Sequence, residues 1–194
     1  MGTAKGERRR AELVTAAAAL LRSGGFEAVR HRAVAERAGL PLSSTTYYFD
    51  SLDDLITAAA ERTSLDELAE GRAQLAGLGD GPADPIELVE IVIDQLLGPE
   101  SRDGGLDAVL LRYERLVGAG RRPYLAPLMR HLRGHLDALL GEILSRSGRP
   151  MAPAALRDLV SLVDGAVISA LIEAHPDPRA TAREVLVRAL PSGT

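Results

Sequence analysis

The sequence predicts an all-α protein of about nine helices, with an N-terminal three-helix helix-turn-helix domain (1-50) joined to a C-terminal helical domain (51-194). Three observations predict it. The β-branched residues sit in helical periodicities, not alternating ones. Glycine and proline clusters recur at intervals suited to helices. Residues 30 to 49 read as two short helices meeting at a glycine.

Taken in order, the first helix is expected from about Glu7 to Ser23, with Leu13, Ala17, Leu20 and Leu21 on one face. Gly24 and Gly25 stop it, and Phe26 plugs the small core beside it. Val34, Ala35 and Ala38 give the second helix an apolar face. Gly39 supplies a left-handed stop, and Ala35 is small enough for the next helix to come close. Pro41 suits the first turn of the third helix, where its missing N–H costs nothing. Ser51 and Asp54 form a capping box for a fourth helix, which carries Leu55, Ile56, Ala59 and Ala60 inward and runs to about Leu75.

Gly77 to Pro82 is a loop, and with no strand before it the alternating glycines do not make a phosphate-binding turn. Asp84-Pro85 reads as an N-cap followed by proline, opening a fifth helix through Leu97. Gly98-Pro99 and Gly104-Gly105 bound another loop before a sixth helix, Leu106 to Val117. The seventh runs from about Pro123 to Ser147, with Pro127 near its start or kinking it. The last two helices span about Ala154 to Ala174 and Arg179 to Leu190. The first of these is apolar over most of its circumference, from Leu156 to Ile172, so it is buried on more than one side, either as the central helix of a monomer or partly against a second copy.

Composition narrows the function. With no cysteine, disulfides and thiolate metal sites are impossible. No apolar run is long enough to span a bilayer, and Met1 to Arg10 is polar and basic with no apolar segment behind it, so a cytoplasmic protein without membrane partners is expected. The net charge of −4 conceals an asymmetry: residues 1 to 50 carry eight Lys and Arg against five acids, the remainder 15 against 22. A basic head on an acidic body suits a DNA reader joined to a regulatory domain, with chance variation in surface charge as the alternative. The third helix strengthens the first reading. Between Leu42 and Tyr48 it holds serines, threonines and two tyrosines without an acid, the groups a helix in a DNA groove uses.

Gly25-Phe26-Glu27-Ala28, Arg32 to Leu40, Ser44 to Phe49 and Ser51 to Leu55 together resemble the N-terminal domain of the TetR family of bacterial transcriptional regulators. The resemblance covers about residues 8 to 60; beyond it, only size, helix count and a bulky apolar penultimate helix are similar. It implies a homodimer through residues 154-190 that binds a near-palindromic double-stranded operator, acts as a repressor and is released by a small-molecule effector. It places Leu42, Ser43, Ser44 and Thr46 against base edges, and Tyr47 and Tyr48 on phosphates. It also marks departures: Arg30 stands where Ser or Thr often caps the second helix, Tyr48 where histidine is common, and Leu52 where lysine is common. Arg30, Arg32 or the arm Lys5-Arg8-Arg9-Arg10 compensates for the lost phosphate contact, and Leu42 offers a base only an apolar contact such as a thymine methyl.

Other constellations carry less. His131 and His135 share a helix face, but the residues between them supply no glutamate base, so no metal is expected. No nucleophile motif is present, no cofactor is implied and no enzyme is expected. Arg112, Tyr113, Met129, His131 and Asp164 are the candidates for an effector pocket in the helical bundle. The second domain has only two aromatic residues, Tyr113 and Tyr124, which argues against gripping a large flat cation between stacked rings and leaves a modest aliphatic or polar effector. The alternative to a regulator is an all-α dimeric interaction module or enzyme without operator binding.

Overall fold

The computed structural model describes residues 4–78 and 84–190. Among them the fold is all-α: α1 (Ala4–Ala28), α2 (His31–Ala38), α3 (Leu42–Tyr48), α4 (Leu52–Gly77), α5 (Pro85–Leu97), α6 (Ser101–Ala119), a 3-10 turn (Pro123–Leu125), α7 (Ala126–Arg146), α8 (Pro153–Ile172) and α9 (Pro178–Ala189). Most of the Gly77 to Pro82 loop lies outside the described residues. Packing divides the chain into two compact units: residues up to Asp66 with Glu114–Arg130, and Glu67–Tyr113 with the residues from His131 on. The divisions fall inside α4, α6 and α7.

In the first unit, the head, α1 turns Leu13, Ala17 and Leu21 inward as its apolar stripe requires. Gly25 leaves the helical region (φ 65°, ψ −166°), so the helix proper stops at the glycine pair. Val34 of α2 and Leu55, Ile56 and Ala59 of α4 close on the same core, and Phe26 packs at its edge. The core also takes Ala119 and Leu125, with Tyr124 and Met129 packed against it, so residues far along the chain complete a head that the sequence placed before residue 50. Gly118 makes this possible: a Cβ there would sit 3.2 Å from the Phe26 ring, and Arg122 lies over that ring at 4.0 Å.

The turn between α2 and α3 follows from Gly39, whose φ of 66° is left-handed. Its N–H donates to Glu36 O at 3.2 Å and the Leu40 N–H to Ala35 O at 3.0 Å, a complete Schellman stop. Gly39→Ala is therefore expected to cost the head about 1–2 kcal/mol, the penalty of a side chain in left-handed backbone. A melt monitored by circular dichroism would reveal it, and an unchanged midpoint would contradict the assignment. Pro41 lies at the N-cap, one residue earlier than expected, where its fixed φ of −57° suits the entry to α3. Ser51 Oγ accepts the Asp54 N–H at 3.1 Å, one arm of the capping box.

In the second unit, the body, the Asp84 carboxylate accepts the N–H groups of Ile86 and Glu87 at 2.8 and 3.2 Å, starting α5 where the Asp-Pro pair predicted. The most enclosed helix is α5, buried at every position from Ile91 to Leu97. By contrast α8 buries Leu156, Leu159, Val160, Val163 and Val167 but exposes Leu162, Ile168 and Ile172. Its apolar circumference is thus only partly covered within the chain. At Gly71, α4 approaches so closely that a Cβ would overlap Gln95 Oε1 and lie 2.7 Å from Leu139 Cδ2.

The loop expected between Gly98 and Gly105 is shorter than the glycines suggested. Ser101 to Gly104 form the first turn of α6, and the break falls at Gly105 (φ 51°, ψ −137°). The turn is held from elsewhere: Arg179 of α9, side chain 7% exposed, donates to Ser101 Oγ at 2.7 Å and to Asp94 at 2.9 Å. Asp94, 1% exposed, also receives Arg102 Nε at 3.0 Å and Gln74 Nε2 at 3.1 Å. Glu90 binds Arg179 and Arg183, each at 2.6 Å. A buried carboxylate is tolerable only when so compensated. Pro127 falls in the first turn of α7, where it displaces no helical hydrogen bond.

Candidate nucleic-acid interface

Helix α3 has seven residues and makes its two sides from one short sequence. Thr45 is fully buried and donates its hydroxyl to Leu42 O at 2.8 Å, which removes the only polar atom of its side chain from competition with the core. On the other side Leu42 is 52% and Tyr47 80% exposed, with Ser43 and Thr46 exposed and Ser44 half-buried between them. The Thr46 hydroxyl donates to Ser43 O at 3.2 Å, which leaves its oxygen lone pairs toward solvent.

The two tyrosines differ. Tyr48 is half-buried against the head core, and the Tyr47 ring stands edge-on to it, centroids 4.8 Å apart and planes at 88°. Edge-to-face contact fixes the orientation of Tyr47 while leaving its phenol in water. A surface phenol held in this way has a donor for an acceptor on a partner and little entropy left to lose.

The two arginines singled out in the sequence are both engaged locally. Arg30 precedes α2 with extended backbone and provides no side-chain cap; its Nε donates to Glu27 O at 3.1 Å and its guanidinium lies 3.6 Å from the Glu27 carboxylate. Arg32 Nε meets Glu36 at 2.9 Å one turn on, and that hydrogen bond and charge raise the arginine above its ordinary value. Both sites are exposed, so a stronger anion can draw either arginine away from its local acid. Of the basic arm named beside them, Arg10 of α1 lies with Cζ 5.0 Å over the Phe49 ring, at the end of α3. Its place beside the head core follows from the helical stripe that Arg10, Leu13 and Ala17 share at i, i+3 and i+7.

Residues 13–59 match the family model described as bacterial regulatory proteins, tetR family, and residues 80–192 match that of the tetracyclin repressor-like C-terminal domain. The chain belongs to the TetR family. It is a transcriptional regulator and not an enzyme. It is 31% identical over 106 residues to the HTH-type transcriptional repressor KstR of Rhodococcus jostii (strain RHA1); the match takes in 54% of this chain, which spans less than half, 46%, of that curated relative. Among solved structures it is similar to the multidrug binding protein EbrR complexed with imidazole (32% identity, 96% of this chain and 97% of the other, TM-score 0.66). The same protein complexed with ethidium gives 33%, 95%, 99% and 0.65. A TetR-family member from Streptomyces coelicolor A3 gives 33%, 95%, 99% and 0.63.

Within this TetR-family body, two of the five effector candidates meet. The Tyr113 hydroxyl donates to Asp164 Oδ1 at 2.8 Å, joining α6 to α8. Burial, then the charge and hydrogen bond of Asp164, push the phenol far above its usual range, so it stays protonated as the donor. Arg112 is buried, paired with Glu67 at 2.7 Å and donating to Leu96 O at 3.0 Å, which commits it to the bundle itself. His131 is exposed and touches His135, ring centroids 4.3 Å apart. Met129 packs against the head core, apart from the others. Among the described residues no group of three or more His, Cys, Asp or Glu is placed to hold a metal, and no helix is long and apolar enough to cross a membrane.

Proposed function

We propose that the protein is a cytoplasmic repressor that binds a palindromic operator as a homodimer and is released by a small-molecule effector, with residues 1-50 as its DNA-binding domain. The observation that carries this reading is the two-sided α3: Thr45 and Tyr48 seat it on the head, while Leu42, Ser43, Thr46 and Tyr47 stand clear of it. Leu42, Ser43, Ser44 and Thr46 take the bases; Tyr47 and Tyr48, with Arg30 and Arg32, take phosphates. The exposed Leu162, Ile168 and Ile172 of α8 favour a second copy on residues 154-190, because a symmetric pair buries the same patch on both subunits.

The relatives' complexes with imidazole and ethidium support a small organic effector here. In this chain the body has Tyr113 as its one aromatic residue among those described, and it is buried and hydrogen-bonded, so the effector is held by shape and charge rather than between stacked rings. Release then requires the effector to bind a conformation with wrongly spaced heads more tightly than the DNA-bound one.

The test is binding of the full chain to DNA from around its coding region, with affinity falling steeply as salt rises. Tyr47→Phe is expected to weaken binding about tenfold on every sequence, the effect of one hydrogen bond to a charged group. Ser43→Ala is expected to change base preference instead. Failure to retain any such DNA at low salt overturns the proposal in favour of a dimeric interaction module.

A further inference from the structure

We infer that Arg10 is a backbone-phosphate contact of the reading head, pre-positioned by the ring of Phe49; this rests on the DNA-binding reading above. Three observations lead to it. The basic run Lys5-Arg8-Arg9-Arg10 lies within α1, which begins at Ala4, so these side chains have fixed places on a helix instead of trailing from it. Phe49 is 4% exposed and follows α3 directly, its N–H bonded to Thr45 O at 3.0 Å, so its ring is a rigid platform at the end of the reading helix. Arg10, itself exposed, has its guanidinium over that platform, next in sequence to Tyr47 and Tyr48.

Five other arginines of the head have acids of their own, and of those without an ion pair Arg10 is the one held over an aromatic ring among the described residues. Arg30 has Glu27, Arg32 has Glu36, Arg22 and Arg62 share Asp66, and Arg122 reaches Glu27 at 3.3 Å. Arg10 forms no ion pair among the described residues. A ring holds a guanidinium by its face through the π electrons and takes none of its N–H donors, so the edge that matches a phosphate remains available. The rotamer freedom that an exposed arginine ordinarily loses on binding is already reduced by the ring. A phosphodiester oxygen beside the end of α3 is the acceptor that this geometry fits, and such a contact sets position without reading sequence.

The experiment compares full-length wild type, R10Q and R10K on an operator fragment and on unrelated duplex DNA across a salt series. R10Q should lose about tenfold in affinity on both DNAs, and the slope of log K against log salt should become shallower by about 0.9 per head. R10K should keep the slope and lose only part of the affinity. F49L removes the platform; it should weaken DNA binding in the wild-type background and add nothing in the R10Q background. If wild type binds with its full slope and R10Q matches it, the inference is wrong although the DNA-binding reading stands. If wild type binds neither DNA, that reading itself has failed. Should F49L not fold, the R10Q slope still decides.

Discussion

Leu162→Glu combined with Ile172→Glu is expected to turn the protein into a well-folded monomer whose affinity for a palindromic site falls by about 10²–10⁴. The fold should survive because Leu162 is 55% and Ile172 80% exposed, so neither change removes a packed side chain from the body. Assembly should not survive, because in a two-fold interface that buries this patch each new carboxylate loses its solvation without gaining a partner of opposite charge. The loss at the operator is larger than any single contact because two linked heads bind with a high effective concentration, and a monomer forfeits that advantage whole. Sedimentation and titration of a palindrome against a single half-site would show it. A variant that stays dimeric with unchanged operator affinity would place the assembly surface elsewhere than on α8.

Asp94→Ala should be the most damaging substitution for stability. The carboxylate is 1% exposed and accepts from Arg179, Arg102 and Gln74, which come from α9, α6 and α4. Without it Arg179 remains buried with a single acid, Glu90. Breaking a buried pair costs about 3–5 kcal/mol. Glu90 puts the expected loss near the lower end, a fall in melting temperature of roughly 6–12 °C for a chain of this size. Asp94→Leu with Arg179→Met should recover part of it, since an apolar pair removes both desolvated charges together. Identical losses for the single and double variants would mean that packing, not charge, governs the site.

The same cluster sets the acid response. Burial by itself would raise the Glu90 carboxyl, but hydrogen bonds from Arg183 and Arg179, with their charges, outweigh it and hold the group below its ordinary value. A carboxylate lowered in the folded state stabilises the fold above its unfolded value, and that contribution drains away as the pH falls through the folded one. Stability should therefore drop on the acid side of the carboxylate range, and less steeply in Glu90→Gln.

Much of the helical framework was legible because caps and stops act within a few residues. Asp84 reaches the N–H groups two and three residues on, Gly39 closes on Ala35 and Glu36, and Ser51 caps Asp54. The stripe of α1 and the two-sided chemistry of α3 are equally local, so α3 lies where the sequence places it. Two expectations were changed by distant partners. The glycines at 98, 104 and 105 suggested an open loop, yet Ser101 to Gly104 coil into α6 because Arg179, 78 residues along, binds Ser101. The sequence groups Met129 with the effector candidates of the helical bundle, but the beginning of α7 packs against the head.

By itself, then, the sequence determined an all-α chain, the bounds of most helices, the turn at Gly39 and the residues that α3 presents. The tertiary structure alone decided that Ala119 and Leu125 complete the head core, that α5 is more enclosed than α8, that Tyr113 meets Asp164 and that Arg10 rests on Phe49. The physical reason is range. A helix end is settled by hydrogen bonds among near neighbours, whose partners any short window contains. A core, an ion cluster or a ring under a guanidinium also joins residues far apart in the chain, 39 positions between Arg10 and Phe49 and 106 between Leu13 and Ala119, and which of many equally apolar or charged candidates meet is settled only when the helices pack.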